Sequence, residues 1–529
     1  MSTTVIEEEI SMAATPAPRA LSETQEKATG TQKRRPKRLL MSVACLVVMA
    51  LTVLLIFRRE KAGLPSKEPA LKSIAVLPLK PLNAENRDSV YELGIADSLI
   101  LKLSSVKELI VRPLSATRKY TNLELDPLAA GREQQVDYVL APSYQLADGK
   151  IRVTAQLFNV RDGSVASVFK CDESCTDIFA TQDAISEKVG RLLLTRLTSE
   201  QSSLLAKQYT NNEEAYRLYL QGKYFLDRRK VPNFRKAIDY FEQAIRLDPN
   251  YALAYAELAW AHWSVVYYGV ENPGEERRKA RDLVMRSLTL DDSLAEAYSV
   301  LGEIRDQYDW DFSAAEQAHM RALELDPNSS QVHTRYSIHL MVVGRLDEAK
   351  AEIKSAIELE PTSLFINRLL GDVLYWSRRY DEAIAQFKRV VAMDATLGGA
   401  VVWLWQSYEM KGDYDQAFEW YCGFHQQEGA SARELRAIKT LYGKQGWRGI
   451  LQHEIEKYQQ AEKKGESHDS EIARLYAQLG DREQAFVHLE RGYKNREAWT
   501  VTILIDPELD PLRSDPRFDE LVRRVGLKS

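Results

Sequence analysis

The stretch AIDYFEQAIRLDPNYALAYAELA, residues 237–259, decides the fold. It reads as the end of one helix, a Pro-Asn corner and the start of another, because Pro249 cannot continue a helix. Equivalent helix-ending positions recur at Asp292, Pro327, Pro361 and Ala395, in steps of 43, 35, 34 and 34 residues. Small residues keep the same register in each second helix: Ala237, Ala280, Ala315, Ala349, Ala383 and Ala417. Each first helix carries a pair such as Leu258-Ala259, Leu301-Gly302 or Leu370-Gly371. Small residues belong where two helices touch closely, and large ones such as Phe387 fill the space between hairpins. The 43-residue step holds an insertion near YYGVENPGEER, 267–277, read as a longer loop or longer helices.

This register resembles the tetratricopeptide repeat (TPR), whose period is about 34 residues. The resemblance covers residues 211–495 and implies about eight helical hairpins in an all-α superhelix, with weaker copies at both ends and a poorly matching one at 431–465. The segment 496–529, which includes DPELDPLRSDPRFDELVRRVGL, is expected to cap the array, because an end repeat leaves an apolar face uncovered.

Upstream, residues 72–200 read differently. SIAVLPL, 73–79, is a continuous apolar run of strand length, and YELGIADSLILKLSSV, 91–106, has helical spacing. Three further β runs are separated by Asp148-Gly149 and Asp162-Gly163, strong hairpin signals because the tight turn needs positive φ. TDIFATQDAISEKVGRLLLTRL, 176–197, closes an α+β unit expected to carry its helices on one face of a mixed sheet. SIAVLPL, ELGIADSLILKLS and VDYVLAPSYQLADGKIRVTAQLFNVRDGSV, in that order, resemble the TolB amino-terminal-like (FlgO-like) domain. That resemblance implies a binding or assembly module. Cys171 and Cys175 admit two readings, a disulfide if the domain is exported or two small apolar side chains at a strand end.

The fold class expected from the sequence is therefore multi-domain: a single transmembrane helix, an α+β domain and an all-α superhelix. The membrane segment is LLMSVACLVVMALTVLLIF, residues 39–57, without a charge and at about 1.5 Å rise per residue long enough for the hydrocarbon core. A cleaved signal peptide fits less well, since no small-x-small site follows. Five basic residues precede the span and three follow closely, which favours a cytoplasmic amino terminus. Residues 1–38 then form a disordered cytoplasmic tail, 58–71 a linker, and the rest lies outside the cytoplasm, at a bacterial inner membrane. The whole-chain order is similar to the exported part of CadC-type membrane regulators, yet the 38 residues before the span show no winged-helix pattern.

Function is expected on the concave face of the superhelix, where stacked repeats bind peptides or partner helices. TPR geometry places Trp260, Trp263, Glu303, Asp306, Arg368, Asp372 and Tyr375 there, with packing between repeats as the alternative for the aromatics. The Lys/Arg/Asn clamp by which some TPR proteins hold a terminal carboxylate is not repeated, since Asp372 and Gln406 stand where Asn is needed. Phosphate-loop, nucleophile-elbow and dinucleotide motifs are missing, and HEIEK, 453–457, lacks the second His of a zinc protease. No cofactor, metal or catalytic residue is expected. A net charge of −5 over 529 residues gives no basic excess calling for nucleic acid. The expected partners are proteins or peptides in the groove and the bilayer at 39–57.

Overall fold

The computed structural model describes residues 71–83, 85, 87–147, 150–171, 178–194, 198–226, 231–267, 273–394, 398–463 and 468–528. The tail 1–38, the apolar run 39–57, all but the last residue of the linker 58–71, the Asp148-Gly149 turn, Cys175 and Ala395 lie outside the described residues, as does the Cys171 side chain. Among the described residues no helix is long and apolar enough to cross a membrane.

The α+β domain runs β1 (Lys72–Val76), β2 (Lys80–Pro81), α1 (Ser89–Ser104), β3 (Leu109–Val111), α2 (Leu114–Thr117), α3 (Pro127–Glu133), β4 (Tyr138–Ala147), β5 (Lys150–Asn159), β6 (Val165–Cys171), α4 (Ile178–Leu193) and α5 (Ser199–Leu205). The sheet order is β3-β1-β4-β5-β6, with β2 beside β4. β1 is parallel to β3 and β4, and β4, β5 and β6 form an antiparallel meander. At the described hairpin turn Gly163 adopts φ +73° and Asp162 accepts from the Ser164 amide at 2.9 Å.

Helices cover both faces of this sheet, which corrects the one-face expectation. Ile74 and Val76 join Ile95, Leu99, Leu103, Ile185 and Val189 in one core. Ala75 and Leu77 point the other way, into a second core with Tyr120, Ala130 and Val136 around α3. A strand apolar at every position must be covered twice, as in parallel sheets.

The array follows as paired helices: α6 (Glu213–Leu226), α7 (Val231–Leu247), α8 (Ala252–Tyr267), α9 (Pro273–Leu290), α10 (Ala295–Ile304), α11 (Phe312–Leu325), α12 (Ser330–Val342), α13 (Leu346–Leu359), α14 (Leu364–Trp376), α15 (Tyr380–Met393), α16 (Gly398–Met410), α17 (Tyr414–Gln427), α18 (Ala432–Glu462), α19 (Asp469–Leu479) and α20 (Arg482–Asn495). The insertion at 267–277 is partly absorbed as helix, since α8 and α9 run 16 and 18 residues against 13 and 14 for α14 and α15. The poorly matching region 431–465 is the long α18, broken at Gly446 where φ is 60°. Ser329 and Ser363 cap the first helices of their pairs, and Asp311, Asp413 and Asp481 cap second helices, each accepting from a backbone amide.

Within a pair, a glycine lets the second helix in. A Cβ built at Gly222 would lie 2.5 Å from the Phe241 ring and one at Gly371 2.4 Å from Phe387, so neither position admits a side chain without displacing its partner. Ala237, Ala280, Ala315, Ala349, Ala383 and Ala417 are all buried.

The two parts are bonded together. Leu220 of α6 packs against Gly94 of α1, and the Tyr216 hydroxyl donates to the Gly94 carbonyl at 3.1 Å. The buried Arg112 guanidinium donates to Gln134 O at 2.9 Å, to Glu358 O at 2.8 Å and to Leu359 O at 2.6 Å, so one cation satisfies carbonyls of both parts. The Asn328 amide donates to Lys107 O and Leu109 O at 2.8 and 3.0 Å. The helix ends at 324–328 and 358–360 thus lie beside β3.

Candidate functional site: the first-helix face and the segment that crosses it

The first helices of the pairs present a strip of charge pairs and aromatics. Lys223 meets Glu257 at 2.6 Å. Arg335 lies over the Trp260 ring at 4.1 Å and against Glu303 at 3.1 Å. Arg368 pairs with Asp372, one turn along α14, and lies 5.2 Å from the Phe365 ring. Burial raises the Asp372 carboxyl to about 6 despite Arg368, and burial raises Glu303 despite Arg335.

The residues singled out from sequence divide by burial. Trp260 and Arg368 are half-buried and reachable from solvent. Trp263 is 2% and Tyr375 0% exposed, which makes them core residues in this structure. Glu303, Asp306 and Asp372 are buried, each in contact with a charged or imidazole side chain. Arg335 was not among the sequence candidates. Its register position is held by Glu257, Val300, Leu369 and Trp403 in the other pairs, a mixed column that does not single it out in the sequence.

The chain's own carboxyl end lies across this face. After α20 come two 3-10 turns, Ala498–Thr502 and Pro507–Leu512, and α21 (Pro516–Val525). Expected as a cap on the last pair, this segment does more. Val501, Ile503, Leu509, Leu512, Phe518, Leu521 and Val522 share one core with Phe486 and Leu489 of the last pair, and also with Phe312 and Val342 far back in the array. The array's curvature brings α11 and α12 within reach of its end. The Glu508 carboxylate accepts from the Tyr375 hydroxyl at 3.0 Å and from the Gln406 amide at 3.2 Å, and Arg474 lies 3.6 Å from Asp506.

The turns within pairs explain where the segment runs. Gly344 and Gly412 take φ +79° and +81° at the turn between first and second helix. The same register positions in neighbouring repeats carry Trp310 and Arg378, at φ +58° and +59°, which L side chains adopt at a cost of about 1–2 kcal/mol. Both side chains hold the segment. Arg378 makes a two-pronged pair with Asp510 at 2.6 and 3.0 Å, and Arg496 stacks 4.1 Å over Trp310. Leu504 seats on Gly344, 3.1 Å from a built Cβ.

Comparison with known proteins follows the same division. Residues 70–187 match the family profile described as HilA/YgeH-like transcriptional regulator, second domain, over the stretch that resembles the TolB amino-terminal-like domain. Residues 233–251 match the tetratricopeptide repeat profile. A curated relative, "Putative adenylate cyclase 3" of Rhizobium meliloti (strain 1021), is 27% identical over 195 residues, 37% of this chain; the chain spans about a third of that relative's length (33%). Among solved structures, YrrB, titled a TPR protein with an unusual peptide-binding site, is 22% identical, covering 38% of this chain and 97% of its own at a TM-score of 0.28. PilW, titled a widely conserved type IV pilus biogenesis factor, is 17% identical, covering 43% and 99% at a TM-score of 0.35. The helical part of this chain is a superhelix of paired helices, one stretch of which matches the tetratricopeptide repeat.

The buried carboxylates set a pH dependence. Burial raises Glu409, with Glu508 adding to the shift, and it raises Asp506, again with Glu508 adding to it and Arg474 opposing. Burial also raises Asp326 to about 7. The folded state then holds more protons than the unfolded chain between the ordinary carboxylate range and these raised values, so stability falls as pH rises through that window. Melting temperature is expected to drop from pH 5.5 to pH 8, with a loss of order 2 kcal/mol. The double substitution Glu409→Gln and Asp506→Asn should flatten the profile; an unchanged slope would contradict the assignment.

Proposed function

We propose that this chain is a membrane-anchored, non-enzymatic scaffold of regulatory type that docks a protein or peptide partner on its TPR array. The observation that carries the reading is a stack of hairpins bonded to an α+β domain whose sequence matches the second domain of a transcriptional regulator. A scaffold needs a rigid surface with fixed polar and aromatic anchors, and the strip from Trp260 through Arg335 to Arg368 supplies one. Within the expected groove set of Trp260, Trp263, Glu303, Arg368, Asp372 and Tyr375, the half-buried pair Trp260 and Arg368 would touch the partner. The buried members would hold that pair in position.

A second reading is signalling of the CadC type, in which the array senses a partner and the α+β domain relays the event. Two findings favour it: the regulator-type match, and the occurrence of related sequence in a chain named as a putative adenylate cyclase. Both readings place the array outside the cytoplasm, behind the apolar run 39–57.

Two experiments test this. A photo-crosslinking amino acid at position 260 or 368 is expected to give one discrete adduct in cells, with none from the exposed positions Met285 and Met320 on second helices. Equal adducts at all four sites would remove the docking surface. Alkaline phosphatase fused after residue 61 is expected to be active; an inactive fusion, with a cytoplasmic reporter active instead, would overturn the topology.

A further inference from the structure

Three polar residues stand at mostly apolar register positions of the array and meet at one point. Four residues after the small alanine of each second helix stand Phe241, Val284, Ile353, Phe387 and Tyr421, all buried, but α11 has His319 there. On the first helices, Leu226, Trp263, Met341 and Tyr375 share a register with Asp306; the other buried carboxylate in that register, Glu409, accepts from Trp447 Nε1 at 2.6 Å. Ala261, Ile304 and Val373 share one with His339, as does Ser407, whose hydroxyl donates to Trp403 O at 2.6 Å. Asp306, His319 and His339 are 3%, 1% and 1% exposed. His319 Nε2 lies 3.1 Å from one Asp306 oxygen and His339 Nδ1 lies 2.7 Å from the other. One donor atom from each residue fits within a 4.8 Å span.

Two local features build this convergence. Gly302 makes room for the His319 ring, which lies 2.6 Å from a built Cβ. Asp306 sits in a π turn, Arg305–Asp309, that continues α10, and such turns re-aim a side chain by one residue. Charge is the third consideration. The buried Asp306 carboxylate lies against two imidazoles, while the nearby Arg335 guanidinium is engaged by Glu303 at 3.1 Å. A buried charge of this kind calls for compensation.

We propose that Asp306, His319 and His339 form a binding site for a borderline transition-metal dication of the Zn2+ type. Two imidazole nitrogens and one carboxylate oxygen suit Zn2+ or Co2+ and do not suit Ca2+ or Mg2+, which take oxygen donors. A three-donor set leaves a fourth position for an exogenous ligand such as water. The ion would join α10, α11 and α12 next to Trp310, where Arg496 of the carboxyl segment stacks. A second cluster in the array, Glu462, Asp469 and His488, has a comparable span. It serves as the internal contrast, because the Arg491 guanidinium lies 3.1 Å from Asp469 and 3.4 Å from Glu462 and already supplies the positive charge.

The test uses the full chain without a histidine tag, stripped with a chelator and titrated with Co2+. The expected result is one Co2+ per chain with the visible d–d bands of a nitrogen and oxygen site of low coordination number, displaced by Zn2+. Zn2+ should raise the melting temperature. The control variant His319→Phe with His339→Val restores residues that the repeat itself uses at these positions, and Gly302 then faces Phe as Gly371 does. It is expected to fold and to weaken Co2+ binding by at least about 100-fold, whereas His488→Asn leaves binding unchanged. No Co2+ bands, a sulfur charge-transfer band from a cysteine, or equal binding by the double variant would each overturn the proposal.

Discussion

The structure depends on one contact made again and again: a small residue on the first helix of a pair receives a large side chain from the second. Gly222 against Phe241 and Gly371 against Phe387 are its clearest cases. The contact sets how closely two helices approach. That spacing sets how much apolar surface is left for the next pair. Each pair is therefore incomplete alone, and stability accumulates through neighbours in the manner of a solenoid. The α+β domain joins the same body through Arg112 and Asn328, which donate to helix-end and strand carbonyls across the junction; the bonds to Gln134 O and Leu359 O are buried.

An open solenoid has a free end and an open inner face. Here the carboxyl segment closes part of both. Ile503, Leu509, Leu512, Phe518 and Leu521 are each buried, and each contributes about 1.5–3 kcal/mol of burial before ordering costs. A segment held this way is structural, not a loosely docked peptide. It also accounts for the strained backbone at Trp310 and Arg378: both sit in turns where their neighbours use glycine, and both spend their side chains on the segment. The strip around Trp260 and Arg368 stays half-buried and open to solvent, and it is this strip that the docking proposal uses.

Much of this was legible in the sequence. The corner at Pro249, the recurring alanines and the step near 34 come from local chemistry, so they survive without coordinates. The strand run SIAVLPL gave the sheet, and its apolarity at every position already implied cover on both faces, a point the one-face reading missed. The role of the carboxyl segment was not legible, because the contact of Glu508 with Tyr375 joins residues 133 apart and follows from superhelix curvature. The signal for it lay in register, at Trp310 and Arg378 where the repeat wants glycine. His319, standing where other repeats have Phe, Val, Ile or Tyr, was a register signal of the same kind.

The central claim is that the array is continuous and that its carboxyl segment returns across the earlier repeats. The most direct measurement replaces Arg378 and Asp510 with cysteine, in a chain whose four natural cysteines are serine, and applies a short bis-maleimide. The account predicts rapid crosslinking within one chain, seen as a peptide joining the two positions, and none when only one cysteine is present. Crosslinks solely between chains, or none at all in the folded protein, would contradict it.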